Sequence, residues 1–195
     1  MGSASRSSRT LGAGSVAAVA VTAAVMLLGC TTSNGGGMSP SASGQVRVSG
    51  PARTSLLEPG DEVPSFSAPA LGGGRLEWKA FRGSPVVLAL WASWCPHCQQ
   101  ELPILAEMAG DFPDVRLVTI VCAVGRGEPS PDRFMKDRGL TFPVAVDDKD
   151  DTLALAFGIR YFPTVYFVNS DGKILRALEG EIEESTLRTL FEAVT

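Results

Sequence analysis

The sequence predicts an α/β domain in which a mixed sheet lies between helices. Three observations predict it. Pro85 to Trp91 is a continuous apolar run, the pattern of a strand buried on both faces. A second such run, Val115 to Val124, follows after a stretch with helical spacing, so the two strands are joined by a crossover helix. Further on, Thr164 to Val168 and Lys173 to Leu178 flank the turn residues Asn169-Ser170-Asp171-Gly172, which marks an antiparallel hairpin.

The remaining elements follow from local signals. Gly60 to Phe66 leads through Gly72-Gly73-Gly74 into Arg75 to Trp78, an N-terminal β-hairpin. The helix after the first core strand runs from about Pro96 to Ala109, with Leu102, Leu105 and Ala109 on one face. Pro103 in its interior lacks an N–H and is expected to kink it. Ser130-Pro131 is an N-cap followed by proline at the first helical position, opening a helix to about Arg138. Phe142 to Asp147 is a short strand, and Asp150 or Asp151 caps a helix through Phe157. Leu187, Leu190, Phe191 and Val194 fall at helical spacing and close the domain.

Between the first strand and its helix lies Trp94-Cys95-Pro96-His97-Cys98. Two thiols at this spacing can close a small disulfide ring and reopen it. The helix N-terminus presents unpaired N–H groups and partial positive charge, which favours the thiolate at Cys95, the form that attacks disulfides. Cys95 sits at the helix tip and is expected to be the accessible sulfur, with Cys98 one turn inward. A structural zinc site needs four ligands. The chain has one histidine, His97, and the core of the domain has one further cysteine, Cys122, so no second ligand pair exists. A purely structural disulfide here would enclose almost no chain and stabilise little. Redox chemistry is the reading that remains, and it needs no metal or organic cofactor. Cys122 lies in the second strand and reads as a small buried hydrophobe.

The ends of the chain carry a different message. Arg6 and Arg9 precede an uncharged run from Leu11 to Gly29 that ends in Leu27-Leu28-Gly29-Cys30. This junction resembles the lipobox of bacterial lipoproteins, in which the cysteine is acylated and becomes the new N-terminus. An uncleaved membrane anchor is the alternative. Either places the body of the protein on the extracytoplasmic face of the cell membrane. Residues 1–29 are therefore read as a signal peptide, 30–58 as a Gly/Ser/Thr/Pro-rich tether, and 59–195 as one domain. Removing the leader takes away two of the 17 basic side chains and none of the 21 acidic ones. A mildly acidic body without a basic patch argues against nucleic acid as a partner.

From about Gly60 onward the chain resembles the TlpA/ResA-type thioredoxin-like proteins, which are membrane-tethered thiol-disulfide oxidoreductases. The resemblance rests on Trp94 to Cys98, Glu101-Leu102-Pro103, Phe134-Met135-Lys136, Gly139 to Val144, Phe162-Pro163-Thr164 and Val168 to Lys173, in that order. It implies a thioredoxin-like fold in which residues 131–157 form the family's insertion after the second core strand. It implies that Pro163 is a cis-proline facing the CxxC, presenting the backbone of Phe162 as an edge for an extended substrate segment. Trp94 would flank that groove. It also implies a glutamate near the thiols, here Glu101, able to move protons for the buried Cys98. Thioredoxins carry a buried aspartate where this chain has Ala89, so carboxylate assistance falls to Glu101.

The expected reaction is exchange with protein thiols and disulfides of client proteins and of a membrane redox partner. Cys95 forms the mixed disulfide and Cys98 resolves it. Direction is pulled two ways. Pro96-His97 is the dipeptide of strongly oxidising DsbA-type sites, and an imidazolium there would stabilise the thiolate and the reduced form. Glu101 opposes this, and the rest of the chain resembles reductants. The expectation is a net reductant, with cytochrome c maturation as a family-based setting. A disulfide-forming oxidant is the alternative, and a non-catalytic lipid-anchored binding module is the alternative of another class.

Overall fold

The computed structural model describes residues 44–194. The expected signal peptide, Cys30 and the first part of the expected tether lie outside the described residues.

The fold has two sheets. A small antiparallel one contains β1 (Arg47–Val48), β2 (Phe66–Pro69) and β3 (Arg75–Glu77), in that order. A 3-10 turn, Trp78–Phe81, leads from it to β4 (Val86–Trp91). Then come α1 (Pro96–Asp111), β5 (Arg116–Val121), α2 (Pro131–Arg138), β6 (Val144–Val146) and α3 (Thr152–Ala156). The chain ends with β7 (Thr164–Val168), β8 (Ile174–Glu179) and α4 (Glu184–Val194). The main sheet has the order β6-β5-β4-β7-β8. Its β4, β5 and β6 are parallel, whereas β7 pairs antiparallel with both β4 and β8. This is the mixed sheet that the sequence predicts, with its N-terminal hairpin formed by β2 and β3.

Every residue of β4 is buried, because the sheet is covered on both faces. Val87, Ala89 and Trp91 pack toward α1 and α4, in one cluster with Cys95, Cys98, Leu102, Leu105 and Phe191. Val86, Leu88 and Leu90 point the other way, into a cluster with Phe66, Trp78, Phe157 and Tyr166. Each fully buried aromatic or leucine side chain contributes roughly 1.5–3 kcal/mol from its apolar area. Because α1 follows the C-terminal end of a central parallel strand, its N-terminus emerges at the sheet edge where α/β proteins place their ligands.

Three expectations need correction. The segment from Val46 to Leu57, expected to be tether, belongs to the domain. Val48 and Arg47 pair with β2, Leu57 is buried, and the N–H of Arg53 donates to the carbonyl of Leu155. The apolar residues of Val46 to Leu57 make this segment part of the domain despite its Gly/Ser/Pro content. Cys122 lies one residue beyond β5, although its N–H still donates to the Trp91 carbonyl at 2.8 Å. Asp151 occupies the N-cap of α3 in the left-handed region, φ 55°; its carbonyl accepts the N–H of Leu155, but its side chain does not cap the helix. The capping is done from further back, by Asp147 on the N–H groups of Leu153 and Ala154 and by Asp148 on Thr152. As expected, Pro103 lies inside α1, which runs to Asp111. The carbonyl of Gln99, which proline cannot bond, accepts from Arg138 Nη1 at 2.8 Å.

Candidate active site

The two thiols sit where β4 hands over to α1. Cys95 is the N-cap of that helix, and its sulfur accepts the N–H of Cys98 at 3.4 Å. Pro96 takes the first helical position, where its missing N–H costs nothing. The turn is closed by Gln99, whose amide donates to the Ser93 carbonyl at 2.7 Å. All three described cysteines are free thiols.

Cys95 is less accessible than a helix tip suggests, with only 5% of its surface exposed, and Cys98 has none. The cover comes from a distant part of the chain. The Phe162–Pro163 bond is cis, and the Cys95 thiol donates to the Phe162 carbonyl at 3.5 Å. Trp94 leans over the same spot, its ring edge-on to Phe162 with centroids 6.3 Å apart. The indole N–H of Trp94 donates to the Ala123 carbonyl at 3.3 Å, and Ala123 has a positive φ of 51°. Gly127 passes so close that a Cβ there would lie 2.7 Å from the Trp94 Cβ.

Behind the sulfurs the site is dry. Burial pushes the Cys98 thiol well above its ordinary range, and its hydrogen bond with Cys95 pushes the same way. Glu101, one turn on, is 1% exposed. Its Oε2 accepts the N–H of Ile182 at 3.0 Å, while its Oε1 is buried without a partner. Burial raises its carboxyl to about 7, the Ile182 N–H partly offsets this, and the nearby Glu181 charge adds to it. Ala89 is fully buried in the same cluster and carries no acid, so Glu101 is the carboxylate that burial sets beside Cys98.

His97 points outward and is engaged by Glu181, Nδ1 to Oε2 2.8 Å. Glu181, Ile182 and Ala123 were not singled out by sequence reasoning. The partners in these contacts lie 29 to 84 residues from the residues they touch, and no local pattern marks them. Cys122 is buried, and both burial and the adjacent Asp147 carboxylate hold its thiol protonated. Among the described residues, no group of three or more His, Cys, Asp and Glu is placed to hold a metal ion.

A dithiol at a helix N-terminus, covered by a cis-proline loop and backed by a buried carboxylate, defines a thioredoxin-like thiol-disulfide oxidoreductase. The chain belongs to the AhpC/TSA family, whose profile matches residues 59–177. Its curated relatives include the thiol-disulfide oxidoreductase ResA of Bacillus thuringiensis subsp. konkukian, 29% identical over 139 residues, which span 71% of this chain and 80% of the relative. Among solved structures, a putative thiol:disulfide interchange protein DsbE from Chlorobium tepidum superposes with a TM-score of 0.64 at 25% identity. The match covers 71% of this chain and 98% of that one. The pneumococcal exposed lipoprotein thioredoxin from Streptococcus pneumoniae is 31% identical, with a TM-score of 0.54, and 66% of this chain covers 98% of it.

Proposed function

We propose that this protein is a lipid-anchored, extracytoplasmic oxidoreductase that reduces disulfides in client proteins through Cys95 and Cys98. The observation that carries the reading is the asymmetry of the pair. The sulfur of Cys95 meets the Phe162 carbonyl at the cis-proline, whereas Cys98 is sealed behind it against Glu101.

Cys95 attacks the client disulfide as thiolate. One client sulfur leaves with the electron pair and takes a proton, and a Cys95–client disulfide forms. Cys98 must then lose its proton to attack Cys95. In its dry setting this needs a base at hand, and Glu101, poised near neutrality, is that base. The second client sulfur leaves, the client is reduced, and Cys95 and Cys98 are joined. A membrane redox partner restores the dithiol. The backbone at Phe162 and Pro163 orients the client segment, and Trp94 flanks it.

The reductant direction is supported by the surroundings of His97. An imidazolium that stabilised the Cys95 thiolate would make the pair oxidising. Here the Glu181 carboxylate offsets that charge, and Glu101 opposes a thiolate from within. The anchor is supported by the Leu27-Leu28-Gly29-Cys30 junction and by likeness to the pneumococcal lipoprotein. No helix among the described residues is long and apolar enough to cross a membrane.

Trapping tests the mechanism. Cys98→Ala should accumulate mixed disulfides with clients that vanish on adding reductant, and Cys95→Ala should not. Equal trapping by both variants overturns the order of attack. Alkylation of Cys95 in growing cells tests direction. A reduced pair supports the reductant, and a fully oxidised pair makes the protein a disulfide-forming oxidant. Mass spectrometry of the mature N-terminus tests acylation at Cys30.

A further inference from the structure

Phe162 has a second role in the architecture. Its carbonyl meets Cys95, and the residue also lines a cleft of about 190 Å³ with Arg126, Asp151, Ala154, Leu155, Ile159 and Arg160. The cleft is tied to the redox motif by a continuous set of contacts. Trp94 donates to the Ala123 carbonyl, the N–H of Arg126 donates to the same carbonyl at 3.3 Å, and the Arg126 guanidinium pairs with Asp151. Both Ala123 and Asp151 adopt positive φ. Backbone in this region is costly for residues with a Cβ and clusters at ligand sites.

The charge in the cleft is uneven. Asp151 balances Arg126, which leaves the exposed Arg160 in excess. Arg160 spends one Nη2 donor on the Thr54 carbonyl and has Nε and Nη1 remaining. Asp151 Oδ1 is buried with no partner, an acceptor without a donor. The walls between these groups are apolar: Phe162, Ile159 and the half-exposed Leu155. A carboxylate on a short aliphatic stem matches this lining. Its oxygens meet guanidinium donors and its methylenes meet the walls.

We propose that the cleft is a specificity subsite for an acidic side chain of the client, within two residues of the cysteine that reacts with Cys95. The shared residue sets this spacing, since Phe162 meets the sulfur through its carbonyl and also lines the cleft. An extended segment advances roughly 6–7 Å over two residues and returns to the same face. The proposal rests on Cys95 being the attacking sulfur.

The test uses the Cys98→Ala protein and three short peptides that differ two positions from a single cysteine, carrying Glu, Gln or Lys. Each cysteine is capped as a thiopyridyl disulfide. Cys95 thiolate attacks the peptide sulfur, the Cys95–peptide bond forms, and thiopyridone leaves with the electron pair and a proton. Its release reads the rate. At low salt the Glu peptide should react about threefold faster than the Gln peptide and about tenfold faster than the Lys peptide. The order should collapse at high salt, where exposed charges are screened. Arg160→Gln should bring the Glu and Gln peptides to the same rate. Equal rates for all three peptides, or a faster Lys peptide, overturn the subsite and leave Cys95 standing. Release that survives Cys95→Ala overturns the assignment of Cys95 and the subsite with it.

Discussion

Glu101 and Ile182 are 81 residues apart in sequence and are joined by one hydrogen bond, 3.0 Å from the main-chain N–H to Oε2. That single donor holds a buried carboxylate whose other oxygen has none. One bond is too little to offset desolvation, which is why the group titrates near 7 rather than in the usual carboxylate range.

Stability should therefore depend on pH in a particular sense. The Glu101 carboxyl is raised from 4.5 to about 7 in the folded protein. Between those values the native state holds a proton that the unfolded state has lost, so stability falls as pH rises through the window and stays low above it. The cost at pH 8 is about 3 kcal/mol. Glu101→Gln keeps an acceptor for Ile182 and removes the charge. It should stabilise the protein by about that much at pH 8 and very little at pH 4. Urea melts of both proteins at the two pH values check this, and an equal difference at both rejects it.

The same titration should appear in catalysis. If Glu101 takes the proton of Cys98, closure of the Cys95–Cys98 disulfide should speed up as pH rises through about 7. In Glu101→Gln that limb should be lost and the step slowed by about 100-fold at neutral pH. Stopped-flow release of a preformed mixed disulfide gives the profile. An unchanged profile would move the proton acceptor elsewhere.

Glu181 acts on this carboxylate through space, its charge holding the Glu101 proton more firmly. Glu181→Gln should lower the Glu101 titration midpoint and free the His97 ring. Carbon NMR of the Glu101 carboxyl through a pH series reads the first effect, and the sign of the change decides it.

Arg138 should matter to α1 although it belongs to α2. Its guanidinium satisfies the Gln99 carbonyl and lies 5.5 Å from the Phe134 ring centroid. Arg138→Ala should cost about 1 kcal/mol in a denaturant melt. Hydrogen exchange should rise in the turn before Pro103 first. A loss confined to α2 would locate the effect in the Phe134 contact instead.

The sheet was legible because its central strands are almost wholly apolar and its turns carry Asn, Asp and Gly, so period and punctuation agree from Val86 to Val168. The motif was legible because two thiols and a proline at one spacing leave few chemical readings. What sequence could not show is the loop holding Glu181 and Ile182, whose importance comes from where β8 delivers it. Nor could it show that Asp147 rather than Asp151 caps α3, since a neighbouring aspartate with the right geometry outcompetes the one in the right position. The segment from Val46 to Leu57 misled for a related reason. Its composition is that of a linker, yet a few apolar side chains and its main-chain pairing dock it.

On the proposed function, the 5% exposure of Cys95 would sort clients by how much slack they have. A compact protein holding its disulfide against its own surface would meet Trp94 and Phe162 before it met sulfur. A strand or loop that peels away could lie along the cis-proline edge and bring its cysteine down into the gap. Recognition would then work partly as a gauge of foldedness, with disulfides in loose or unfinished chains in reach and those locked inside native structure left alone.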